Sequence, residues 1–182
     1  MIETRNRSRH HLFWFLIVAA FLTSHAAAQD EPRWAEAGLR GGTISTSSGS
    51  FHQLEAYLVH TMDLSFELPR SWVARSNWEM SAGRLEHEDF DGLVFSAGPV
   101  VVFRKGDRPW YFEVGSRPTL ISEDVFGDKD FGGPFQFTSH GGVGWTGDRF
   151  EISYRIQHMS NARIYSQNDG LNLHVLEIGW RF

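Results

Sequence analysis

His158 and Ser160 stand two residues apart near the C-terminus of this 182-residue chain. A serine hydroxyl becomes a useful nucleophile when a base within hydrogen-bond reach takes its proton, and histidine is the commonest such base. A spacing of two matters if the segment is a strand, because strand side chains alternate between faces. The run from Phe150 to Ser160 does alternate. Phe150, Ile152, Tyr154 and Ile156 are apolar, whereas Glu151, Ser153, Arg155 and Gln157 are polar. His158 and Ser160 continue the apolar face, so a base and a nucleophile share a greasy surface. Such a pair suits acyl transfer from an ester. The competing reading is a hydroxyl and an imidazole placed at a lipid–water interface with no catalytic role.

The elements that would position this pair are strands. No long stretch has helical apolar spacing, and alternating runs are separated by turn residues. The pattern predicts eight strands, at about 34–46, 51–62, 72–86, 93–103, 109–121, 135–145, 150–160 and 171–182. Several have one apolar and one polar face: Trp110, Phe112 and Val114 oppose Glu113 and Arg117, and Leu54 and Leu58 oppose Glu55 and Tyr57. Short links near Pro69, Gly106 and Gly147 contrast with longer polar connections at 122–134 and 161–170. Short turns at one end and longer loops at the other is the layout of outer-membrane barrels. The final strand puts Leu176, Ile178, Trp180 and Phe182 on one face and Glu177, Gly179 and Arg181 on the other.

The fold class expected is therefore all-β: an eight-stranded antiparallel transmembrane β-barrel with its greasy face toward lipid. A soluble β-sandwich or lipocalin-like barrel would instead bury the Trp180/Phe182 face. A porin is disfavoured, because a barrel of about eight strands has a lumen filled by side chains. Residues 1–28 read as an export signal, with Arg5, Arg7 and Arg9, an apolar stretch from Phe13 to Leu22 and a small-residue cleavage site at Ala26, Ala27 and Ala28. Residues 29–182 then form one domain. Its location would be the bacterial outer membrane, reached with a cleaved signal peptide. Setting aside Glu3 and those three arginines from 17 basic and 22 acidic residues leaves 14 and 21, a net charge of −7. That balance argues against nucleic acid. The absence of cysteine excludes thiol catalysis and thiolate metal sites. Seven Trp and fifteen Phe suit aromatic girdles at membrane interfaces. The histidines are scattered, so no metal and no obligatory cofactor is expected. The acidic residues of 122–134 read as a solvated loop rather than a calcium site.

The string His158-Met159-Ser160-Asn161-Ala162, followed by Asn168-Asp169-Gly170 and a closing aromatic strand, resembles the outer-membrane lipid A 3-O-deacylase family, the PagL-like acyloxyacyl hydrolases. The likeness is sharpest over 150–182. It implies a serine esterase that hydrolyses the ester-linked 3-hydroxyacyl chain of lipid A, with Ser160 as nucleophile and His158 as base. The partners implied are lipid A or lipopolysaccharide and outer-membrane lipids, with a homodimer as a further option. The family pattern has a glutamate twelve residues after the serine, and Asn172 stands there instead. An amide can orient an imidazole but cannot stabilise its charge. Asp169 is the alternative third member. Asn161 is expected as an oxyanion donor, through side chain or backbone. Arg163, where the pattern has glycine, is expected near a lipid headgroup, and Asn168 near the substrate or shaping the loop. The rival class is a small barrel with a structural, adhesive or stress role and no chemistry.

Overall fold

A computed structural model of the chain describes residues 34–47 and 49–182; the segment read as an export signal lies outside them. The eight long strands are β1 (Trp34–Thr46), β2 (Gly49–Leu68), β3 (Trp72–His87), β4 (Phe90–Lys105), β5 (Trp110–Ile121), β8 (Phe135–Thr146), β9 (Phe150–Ser160) and β10 (Leu171–Arg181). A two-stranded hairpin of β6 (Val125–Phe126) and β7 (Lys129–Asp130) lies between β5 and β8. The long strands pair antiparallel with their chain neighbours, and β10 returns to β1, which closes the barrel. Closure runs from Glu36 opposite Arg181 to Thr43 opposite His174, so no long strand is left with a free edge along that stretch.

Alternation sets what faces where. Phe150, Ile152, Tyr154, Ile156, Trp180 and Phe182 are all exposed on the outside. Leu39, Leu54, Phe95, Trp110, Phe112 and Leu176 extend this outward apolar belt around the barrel. A belt of that size is far beyond the apolar patch of a soluble monomer and matches a surface that sits in hydrocarbon. The polar positions point inward and are buried as ion pairs. Arg40 contacts Glu55, Glu79 and Glu177 at 3.0, 2.6 and 3.3 Å. Arg155 contacts Glu79, Glu113 and Glu177 at 3.1, 2.5 and 2.7 Å. Arg117 also pairs with Glu79.

Two features differ from the sequence expectation. Strand β2 continues to Leu68 rather than stopping at 62, because 65–68 pair with the start of β3 beyond a register shift between Thr61 and Ser65. Among the described residues this extension pairs only with β3, since β1 begins at Trp34 opposite His60. The connection 122–134 is not simply solvated. Its hairpin drops Phe126 and Phe131, both at 0% exposure, into the barrel mouth. There they join Phe51, Leu85, Leu171 and Leu173 in an apolar plug. Burying two phenylalanines stabilises the loop by about 1.5–3 kcal/mol each, which outweighs the pull of its acidic residues toward water.

Candidate active site

Strands β8, β9 and β10 bring the site together on the outside of the barrel. His158 lies opposite Asn172 on β10 and opposite Ser139 on β8. Ser160 closes β9 opposite Phe137. His158 and Asn172 are exposed and Ser160 is half-buried, whereas the intervening Met159 points inward into the plug. The parity of the strand therefore does separate the outer pair from the core.

The imidazole is held from two sides. Its Nδ1 lies 2.8 Å from Asn172 Oδ1. In the tautomer with the proton on Nδ1, the Asn172 carbonyl oxygen accepts it and Nε2 is left as the basic nitrogen. Behind the ring stands Gly170, where a Cβ would come within 2.8 Å of His158 Cε1. The glycine is needed as the floor on which the ring lies, a role that the Asn-Asp-Gly turn signal did not disclose. No hydrogen bond joins Ser160 Oγ to the ring in this state. Contacts of this kind commonly tighten only in the substrate complex.

The remaining predicted residues serve the loop. Asn161 is fully buried. Its Nδ2 donates to the carbonyls of Phe131 at 2.8 Å and Gln167 at 2.5 Å, and its Oδ1 accepts the Arg163 N–H at 2.8 Å. Its own N–H donates to Asn168 Oδ1 at 2.9 Å. Asn161, expected as an oxyanion donor, has every one of its donors engaged within the loops in this structure. Asn168 shapes the turn by accepting that bond. Asp169 faces Asp130 rather than the histidine, with its N–H donating to the Asp130 carbonyl and its carboxylate accepting the Asp130 N–H, both at 3.0 Å. Lys129 Nζ donates to the Gly170 carbonyl at 3.2 Å. Ala162 and Arg163 have φ values of 51° and 68°, the left-handed region that favours glycine. The arginine side chain is exposed. Among the described residues no group of three His, Asp or Glu is placed to hold a metal ion.

A closed eight-stranded barrel with an apolar exterior is the architecture of a small outer-membrane β-barrel protein. A sequence model of the family described as lipid A 3-O-deacylase (PagL) matches residues 52–181. The lipid A deacylase PagL of Bordetella bronchiseptica is 36% identical over 133 residues, which span 65% of this chain and 74% of that protein. A crystal structure of the outer membrane enzyme PagL matches with a TM-score of 0.67 at 20% identity, covering 78% of this chain and 97% of the other. That last likeness speaks for the fold. The chain belongs to the lipid A 3-O-deacylase (PagL) family.

Proposed function

We propose that this protein is a lipid A 3-O-deacylase: an outer-membrane serine esterase that hydrolyses the ester-linked 3-hydroxyacyl chain of lipid A at the outer leaflet. Residues 1–28 act in this reading as the export signal. The observation that carries the proposal is the His158 ring, its Nδ1 2.8 Å from Asn172 Oδ1, two residues from Ser160 on the lipid-facing edge of β9.

In the first step Nε2 takes the Ser160 proton as Oγ attacks the ester carbonyl. The resulting oxyanion needs a hydrogen-bond donor. With the Asn161 N–H given to Asn168, the next backbone N–H, that of Ala162, fills this role. His158 then returns its proton to the departing sugar oxygen, leaving an acyl-serine. A water activated by the same nitrogen attacks that ester and releases the fatty acid and free Ser160. The exposed Arg163 supplies a cation at headgroup depth for a lipid A phosphate.

The test is mass spectrometry of lipid A incubated with purified protein. Ser160→Ala and His158→Ala should each abolish release of hydroxy fatty acid while the barrel still folds, because removing one member of such a unit removes most of the catalysis. Undiminished release by Ser160→Ala protein would reject this nucleophile.

A further inference from the structure

The outward face of β8 interrupts its own apolar run. From the loop end it reads Phe135, Phe137, Ser139, Gly141, Val143 and Trp145, so a hydroxyl and a bare backbone position stand where hydrocarbon is expected. Ser139 lies directly between His158 on β9 and Ser116 on β5. The Ser116 and Ser139 hydroxyl oxygens are 2.9 Å apart, and both residues are exposed on the outside of the barrel. Pro118 and Phe137 flank the pair on one side and Val114 and Ile156 on the other. Two hydroxyls that bond to each other use one of their two O–H donors. The second donor and the spare lone pairs have no partner among the described residues.

Gly141 continues this feature. A Cβ there would meet nothing nearer than the Glu113 carbonyl oxygen at 4.0 Å, so the position is open. Its register neighbours are Val114 on β5 and Ile156 on β9, both exposed. The missing side chain leaves a slot between two apolar walls, directly below the serine pair. The corresponding path on the β10 side is filled, because Tyr154 Oη and His174 Nδ1 lie 2.6 Å apart with their rings nearly parallel. The open route away from Ser160 therefore runs over β8.

We propose that the Ser116–Ser139 hydroxyl pair and the Gly141 slot form an acyl subsite that selects a chain hydroxylated at C3. The inference rests on the deacylase reading above. Ser139 is the diagonal neighbour of Ser160, since Ser160 faces Phe137 two positions earlier on β8. Diagonal neighbours of this kind lie about 7–8 Å apart. An ester carbonyl at Ser160 Oγ has its C3 two carbons away, in the gap between the serines. A C3 hydroxyl there both accepts from the spare Ser139 or Ser116 donor and donates to a spare lone pair. The methylenes beyond C3 then pass over Gly141 between Val114 and Ile156.

The experiment uses the full-length mature barrel in detergent micelles. Its substrates are two synthetic lipid A-type disaccharides whose scissile chains have equal length and differ only in the C3 hydroxyl. The wild type should favour the hydroxylated chain by at least about tenfold in kcat/KM. Ser116→Ala/Ser139→Ala should bring that ratio toward unity, and Ser139→Thr, which keeps the hydroxyl, should retain the preference. Gly141→Val should lower kcat/KM for a long hydroxyacyl chain several-fold more than for a short one. An unmoved hydroxyl ratio in the double variant, or an equal fall for both lengths in Gly141→Val, overturns the subsite while leaving the deacylase reading intact. Failure of the wild type to hydrolyse either substrate overturns both. Heat-modifiable gel mobility confirms that each variant is folded.

Discussion

In the proposed reaction, Asn172 governs how well His158 can hold the proton it takes from Ser160. The amide oxygen already sits 2.8 Å from Nδ1, so the ring orientation is set. What is missing is a negative charge to balance the imidazolium formed in the transition state. Asn172→Asp supplies that charge without changing the reach of the side chain. It is expected to raise kcat by about tenfold, or ~1.4 kcal/mol of barrier. A carboxylate at the interface costs little by comparison. Initial rates on lipid A in detergent measure this, and a folded Asn172→Asp protein of unchanged rate would place the charge-balancing group elsewhere. At this scale the sequence disclosed geometry better than it disclosed roles. Parity alone puts His158, Ser160 and Asn172 on one face, because a period of two admits only two assignments. The loop bonds of Asn161 were not legible, because an amide that could meet an oxyanion meets a carbonyl equally well, and residue type does not say which is nearer.

The strands were legible and the loops were not. Seven of the eight long strands follow the predicted spans to within three residues at each end, because outward apolar and inward polar positions alternate through each. The connections 122–134 and 161–170 offered no period, so their mutual fastening was invisible. Yet that fastening places Gly170 beneath the imidazole. Asn161 ties Phe131 to Gln167, and Asp130 and Asp169 exchange two hydrogen bonds. Asn161→Ala would leave the buried Phe131 carbonyl without this donor, at about 1–3 kcal/mol, and release the Gln167 carbonyl as well. The loop should then open more often. Trypsin should cut after Arg163 about tenfold faster or more, with a parallel drop in activity, while the barrel itself stays resistant. Cleavage at the wild-type rate would show that the plug alone holds the loop.

The whole barrel is organised around buried charge. Glu79 touches the three buried arginines among the described residues, Arg40, Arg117 and Arg155. Gly142 makes room for this network, since a Cβ there would come within 2.8 Å of the Arg155 side chain and 2.9 Å of Glu113 Oε1. Removing the shared acid leaves uncompensated cations, so Glu79→Ala should destabilise the barrel by about 3–5 kcal/mol. Urea unfolding in lipid, followed by tryptophan fluorescence, reads this directly; a loss under about 1 kcal/mol would mean that the arginines are satisfied by Glu55, Glu113 and Glu177 without it. The sequence announced the inward polar face but not the convergence on one glutamate, because that depends on how neighbouring strands are staggered around the closed sheet. Charges within and hydrocarbon without also leave Ser160, the nucleophile of the proposed reaction, on the perimeter. In that reaction the ester bond arrives by sliding sideways in the leaflet, with no descent into a cleft. Encounter becomes a two-dimensional search, governed by how many substrate molecules share each unit of membrane area. Such an enzyme is diluted by other lipids and is indifferent to the volume of water above it.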